Sequence, residues 1–193
     1  IVIFTIIGNT LGTVLIPMYF EVNSDLGEKK ALKFTNNVFN MVIAMCILLA
    51  ILGFIFTEPL IKVFAMGFEG QTLKISIDFT RITIIGIVFT GLSYVMTAYL
   101  QIKNNFIVAG LISVPKNIII ITYIILSVKY NTYIMIWGTL IGISTEFLFQ
   151  FPFAIKSGYK YQPYINMKDK YIKKMSWLIG PVLIGVAVNQ INT

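Results

Sequence analysis

Six apolar runs separated by short polar stretches constrain this chain more tightly than any motif it carries; they lie at about residues 1–20, 35–57, 76–101, 106–128, 133–155 and 175–193. At ~1.5 Å per residue, a helix of ~20 residues crosses the ~30 Å hydrocarbon layer of a bilayer. A helix also satisfies its own backbone groups, which hydrocarbon demands. With 57% of its residues apolar and 12% charged, and a mean hydropathy of +0.84, the chain has too few polar groups for a soluble domain. The expected fold class is all-α, a single polytopic bundle of transmembrane helices over residues 1–193. Both ends fall in apolar runs, at Ile1-Val2-Ile3 and at Asn192-Thr193, so the expectation is a piece of a longer chain. Residues 1–20 show neither the charged start nor the cleavage site of a signal peptide.

The hairpin from Phe106 to Phe153 stands apart because each of its apolar arms carries one ionisable residue. Lys116 lies ten residues from the lower end of the first arm and Glu146 nine residues from the lower end of the returning arm. Both are therefore ~14–15 Å deep, at the same level near mid-bilayer. A lysine stem reaches only about 6 Å, too short to lift the Lys116 ammonium to the headgroups. A central charge costs roughly 2.5–3.5 kcal/mol unless a partner or a hydrated cavity relieves it. Three readings stay open at this point: a Lys116–Glu146 pair that staples adjacent helices, a cavity-lining role, and no contact between the two.

Elsewhere the apolar runs carry weaker signals. Gly8 and Gly12 form one GxxxG step and Gly138 and Gly142 another, a spacing that lets helices approach closely. Asn36 and Asn40 share a helix face near the start of the second run, where the headgroup layer is the default environment and a polar vestibule the alternative. Residues 58–75 suggest a short surface helix, Leu60-Ile61-Lys62-Val63-Phe64, followed by a turn. Asp78 and Arg81 can pair at a spacing of three, and Arg81 is either an interfacial anchor or a cavity group. Thr90, Ser93, Tyr94 and Thr97 put a polar stripe on the third run, while Asn189, Gln190 and Asn192 lie deep in the last.

The net charge of +7 resides mostly in the loops. Residues 21–34, 101–105 and 156–174 hold ten Lys residues between them, against three, Lys62, Lys74 and Lys129, on the opposite side. That asymmetry makes the first set cytoplasmic, and it removes nucleic acid as an expected partner. With no histidine and a single cysteine, Cys46, the chain offers neither a histidine-based zinc site nor a hydrolytic triad. Phosphate-loop, CxxC and HExxH patterns do not occur, so no cofactor, metal or enzymatic activity is expected. Polar groups distributed through several helices of one bundle favour transport.

A series of short motifs extends this reading. Ile16-Pro17 at a helix base, Gly27-Glu28 in an acidic and basic loop, Glu58-Pro59-Leu60, Ala65-Met66-Gly67-Phe68 and Asp78-Phe79-Thr80-Arg81-Ile82 occur in that order. They are followed by Asn104-Asn105-Phe106, Asn117, Gln150-Phe151-Pro152 and Gly180-Pro181. Together these resemble the MurJ/MviN family of the MOP flippase superfamily, over a part corresponding to helices two through seven. The resemblance implies a two-lobed, MATE-like transporter, of which this chain supplies mostly the N-terminal lobe. It further implies a flippase that carries lipid II, a lipid-linked cell-wall precursor, across the bacterial cytoplasmic membrane. Alternating access around a cationic cavity would drive transport, with membrane lipids and a coupling ion or the membrane potential as further partners. Lys116, Glu146, Arg81, Asn117, Asn189 and Gln190 are the candidate cavity groups. Lys116 and Glu146 depart from the family, which more often places an apolar residue and a glutamine there. An exporter of another lipid-linked oligosaccharide, or a drug/ion antiporter of the same superfamily, would share the bundle and differ in its lining.

The loop assignment is checked with single cysteines in a Cys46→Ala background of the full-length protein. Cysteines at Lys30 and Lys168 are expected to resist an impermeant thiol reagent in intact cells, and one at Glu69 to react. Labelling at Lys30 and Lys168 would reverse the topology.

Overall fold

The computed structural model describes the backbone of residues 2–191 and the side chains of residues 8–186. Among these residues the elements are all helical: α1 (Val2–Leu26), α2 (Glu28–Ile55), α3 (Thr57–Phe64), α4 (Gly70–Thr83), α5 (Gly86–Ile102), α6 (Phe106–Leu111), α7 (Ser113–Lys129), α8 (Thr132–Lys156) and α9 (Lys170–Ile191). Four stretches are long and apolar enough to cross a membrane: Glu28–Ile55, Gly70–Ile102, Phe106–Lys129 and Thr132–Lys156. The chain is a multi-pass membrane protein.

The helices extend beyond the apolar runs wherever charged residues can continue them in water. The stretch 21–34, expected as a loop, is helical except at Gly27. At φ +84° Gly27 occupies the left-handed region, and its N–H closes on the Asn23 carbonyl at 2.9 Å, the usual way to stop a helix and turn the chain. Two long runs are broken in the middle. The third divides at Ile84–Ile85 into α4 and α5, and the fourth at Ile112 into α6 and α7. Pro115 accounts for the second break: it has no N–H to offer the carbonyl of Leu111, where α6 ends.

Two compact units emerge, one made of residues 1–42, 91–110 and 150–193 and the other of residues 43–90 and 111–149. The first unit holds most of the buried apolar residues. Val14, Leu15, Met18 and Val22 recur along α1 at helical spacing, and Val95, Met96, Tyr99 and Leu100 do so along α5. Helix α1 packs along α9, where Tyr171 Oη donates to Asp25 Oδ2 at 2.8 Å and Lys174 bonds Glu21 at 2.7 Å. All three lysine-bearing stretches lie in this unit; besides the Tyr171–Asp25 and Lys174–Glu21 contacts, Lys103 pairs with Glu28, and Tyr99, just before the second stretch, donates to the Ser157 carbonyl at 3.4 Å. Burial pulls the Lys103 ammonium down, yet its bond to Glu28 and the neighbouring Tyr19 and Tyr99 outweigh that and leave its pKa raised. It stays protonated at neutral pH.

In the second unit, α7 and α8 pack along a row of small residues, while much of α2 from Met45 to Phe56 is exposed apolar surface. The two GxxxG steps differ here. A Cβ at Gly138 would overlap the Tyr123 ring, and one at Gly142 would stand 2.6 Å from Ile120 Cγ1 and 3.2 Å from the Lys116 carbonyl. In the first unit a Cβ at Gly8 would overlap Tyr94, but one at Gly12 would meet nothing within 4 Å. Gly142→Val is therefore expected to destabilise the detergent-solubilised full-length protein by about 1–3 kcal/mol. Gly12→Ala should stay within about 0.5 kcal/mol. Equal melting temperatures for wild type and Gly142→Val would refute the close approach.

Candidate functional site

The α7–α8 hairpin builds its charged centre from backbone proximity. Gly138, Gly142 and Glu146 fall on one stripe of α8 at a spacing of four. Opposite them on α7 are Tyr123, Ile120 and Lys116. Because Gly142 lets α8 settle against the Lys116 backbone, the next stripe position, Glu146, reaches the lysine head. Lys116 Nζ donates to Glu146 Oε1 at 2.7 Å. The two residues, 30 apart in sequence, thus meet at a common depth. The lysine side chain is 29% exposed and the glutamate 13%, so the cation is the more accessible of the two.

Not all of the candidate groups gather there. Asn117 follows Lys116 on α7 and is exposed. Arg81 lies instead against α2, its guanidinium carbon 5.5 Å from the Phe54 ring centre. The Asp78–Arg81 pairing that their spacing allows does not form, because Asp78 Oδ2 accepts from Tyr133 Oη at 2.8 Å. Buried Arg81 Nε has no hydrogen-bond partner. Asn189 and Gln190 lie outside the described side chains.

Two polar networks in the first unit were not foreseen. Thr97 Oγ1 donates to Gln150 Oε1 at 2.8 Å and Gln150 Nε2 donates to Ser93 Oγ at 2.6 Å, so the stripe on α5 finds its partner on α8. More extensive is a clasp formed by α2 on the extended segment 159–166. Asn37 behaves like a strand edge, donating to the Asn166 carbonyl at 3.0 Å and accepting its N–H at 2.8 Å. Asn36 Nδ2 donates to the Lys160 carbonyl at 2.9 Å, and its Oδ1 accepts from Gln162 N at 2.9 Å and Tyr159 Oη at 3.0 Å. Asn40 donates to the Gln162 and Tyr164 carbonyls at 2.9 and 3.2 Å, while Tyr161 Oη donates to its Oδ1 at 2.9 Å. Burial raises the Tyr159 pKa above its ordinary value, keeping the hydroxyl protonated and able to donate. The Asn36 and Asn40 spacing predicted a headgroup or vestibule position; the structure buries both under a strap of chain.

Comparison with known proteins yields one family. The family model described as lipid II flippase MurJ matches residues 2–193. A probable lipid II flippase MurJ of Buchnera aphidicola subspecies Acyrthosiphon pisum is 26% identical over 191 residues, covering 95% of this chain and 37% of the relative. Its counterpart in Rickettsia prowazekii is 24% identical over 186 residues, 94% of this chain and 36% of the relative. A solved structure of the lipid II flippase MurJ in an inward closed conformation superposes with a TM-score of 0.76 at 28% identity, covering 98% of this chain and 39% of that one. The chain thus spans little more than a third of the length of these proteins.

If the Lys116–Glu146 contact carries energy, losing either partner strands the other charge in a low dielectric. In a double-mutant cycle, Lys116→Met with Glu146→Gln is expected to show a coupling of roughly 1–3 kcal/mol, read from the thermal unfolding of the full-length protein. Additive singles would contradict the pairing.

Proposed function

The chain belongs to the lipid II flippase MurJ family, and on that premise we propose that the whole protein carries a lipid-linked peptidoglycan precursor, lipid II, from the inner to the outer leaflet of a bacterial cytoplasmic membrane. The observation that carries this reading is the family match over residues 2–193. The charged centre of the hairpin supplies a chemistry for it. An anionic headgroup crossing a membrane needs a cation that it can both reach and leave. Before cargo arrives, Lys116 Nζ is held by Glu146 Oε1 at 2.7 Å. A pyrophosphate can displace the carboxylate from the ammonium, and the carboxylate can displace the pyrophosphate in turn. Exchange between two anions keeps the lysine from ever standing alone in hydrocarbon, where its cost would be several kcal/mol.

In this reading Lys116 binds the headgroup and Glu146 is its resting counter-ion. Asn117 is proposed as a neutral hydrogen-bonding group on the same route, and Asn189 and Gln190 as further candidates for binding the cargo. Alternating access, driven by a coupling ion or the membrane potential, is the proposed means of moving the site between leaflets. No step here makes or breaks a covalent bond, so the protein acts as a transporter and not as an enzyme.

The test is complementation. The full-length gene is expressed in a bacterium depleted of its own lipid II flippase, with membrane insertion confirmed by immunoblot. Restored growth and outer-leaflet lipid II are expected from the wild type, and a loss of about tenfold or more in translocation from Lys116→Met, since one charge-assisted contact contributes roughly 1.5–3 kcal/mol. A stably inserted wild-type protein that restores neither would overturn the assignment of substrate.

A further inference from the structure

The second unit contains a hollow of about 320 Å³ that the transport reading leaves unused. Ile47, Ile51 and Phe54 of α2 form one wall, and Ile84, Ile85 and Val88, at the break between α4 and α5, form the other. The break shapes the hollow. The N–H groups of Ile87 and Val88 turn back to the carbonyls of Ile84 and Ile85 at 3.1 and 3.2 Å, and Gly53 admits the Ile84 side chain onto the α2 backbone. Every lining side chain is apolar. An ordered water needs two to four polar partners, so the natural content of this space is hydrocarbon. Its size sits at the low end of ligand clefts, about 300–1,000 Å³, and suits a single narrow chain.

At the lip of the hollow stands a cation with an unused donor. Arg81 lies one helical turn before Ile84 and Ile85, its guanidinium rests over Phe54 at 5.5 Å, and its Nε has no hydrogen-bond partner. A ring face attracts a cation but does not satisfy a buried N–H, which costs about 1–3 kcal/mol when left unpaired. The neighbouring acid does not fill the role. Glu58 bonds Lys62 at 2.7 Å, and its pKa is lowered chiefly by that bond, with Arg81 a lesser, longer-range contributor. Glu58 and Lys62 belong to α3, whose Leu60, Val63 and Phe64 are exposed beside these charges, the pattern of a helix lying in the bilayer interface. That pattern sets the guanidinium beside the interfacial helix and the hollow on its apolar side.

From the apolar hollow, the cation at its lip and the interfacial helix beside it, we infer that this face is a binding site for one membrane glycerophospholipid with an anionic headgroup, an acyl chain in the hollow and its phosphate on Arg81. A single guanidinium matches a single phosphodiester charge. The two cations have different neighbours: Arg81 contacts Phe54 and Lys116 contacts Glu146.

The full-length protein, stripped of lipid in detergent, is titrated by native mass spectrometry with phosphatidylglycerol and with phosphatidylcholine of identical chains. Wild type is expected to hold phosphatidylglycerol about tenfold more tightly, because both lipids offer a phosphate to the guanidinium but the choline ammonium of phosphatidylcholine is repelled by it. Arg81→Gln should erase that preference by weakening phosphatidylglycerol more than phosphatidylcholine, and Arg81→Lys should restore part of it. Ala50→Phe, which fills the hollow from α2, should weaken both lipids. A diazirine-bearing phosphatidylglycerol should label residues 47–55 and 84–88 of the wild type in nanodiscs, a readout independent of whether the variants fold. Equal binding of the two lipids by wild type, or retention of the preference in Arg81→Gln, would overturn the headgroup assignment. Label confined to other segments would mean that protein covers the hollow. Displacement of phosphatidylglycerol by a polyprenyl pyrophosphate would reassign the site to cargo.

Discussion

Hydrocarbon leaves a polar side chain no alternative partner, so each polar group placed there must be answered by another group of the same protein. The α7–α8 hairpin is arranged around that requirement. Its glycines at 138 and 142 let the two helices come together: a Cβ at Gly138 would overlap Tyr123, and one at Gly142 would stand 2.6 Å from Ile120 Cγ1 and 3.2 Å from the Lys116 carbonyl. One turn farther along α8, Glu146 takes the lysine head at 2.7 Å. Were the helices held apart by side chains at those glycines, the two charges would lie at the same depth without touching. Packing therefore comes first here, and the ion pair is its consequence.

The two units meet the requirement differently. In the first, the buried groups are neutral amides and hydroxyls: Gln150 with Ser93 and Thr97, and the asparagines of α2 with the segment 159–166. An amide has donors and an acceptor on the same head, so it can be fully satisfied by a neighbour's backbone, and such a network specifies one arrangement. In the second unit the groups are charged and only partly enclosed. The Lys116–Glu146 pair is partly exposed, and Arg81 Nε has no hydrogen-bond partner. A transporter needs both kinds of contact: fixed ones that hold its helices in register and exchangeable ones that accept and release an anion.

Much of this was legible in the sequence wherever a regular spacing converts into geometry. Depth alone placed Lys116 and Glu146 level with each other, and a short helix after Glu58-Pro59 was expected from the amphipathic run Leu60-Ile61-Lys62-Val63-Phe64, which lies within α3. Spacing proved less informative where two partners compete. Asp78 and Arg81 stand three apart, yet the Tyr133 hydroxyl takes the carboxylate, and nothing local to residues 78–81 announces a tyrosine from α8. The two GxxxG steps are alike in sequence and differ because only a facing helix decides whether the missing Cβ is needed. The asparagine clasp was hidden for another reason. Its partner segment lies more than 120 residues away and is recognised mostly through backbone atoms, which leave no side-chain pattern. The break at Ile112 was written in Pro115, and that at Ile84–Ile85 has no proline or glycine at the break itself to mark it.

The central claim is that the position of the positive charge matters for transport, beyond the existence of an ion pair. Exchanging the partners, Lys116→Glu with Glu146→Lys, preserves the pair and moves the cation from α7 to α8. The most direct measurement is translocation of a fluorescent lipid II by the full-length protein in proteoliposomes, followed with an impermeant quencher, alongside the melting temperature of the same preparation. The account predicts a swapped protein that melts close to wild type and translocates poorly. A swapped protein that is stable and translocates at the wild-type rate would show that the pair only holds two helices together.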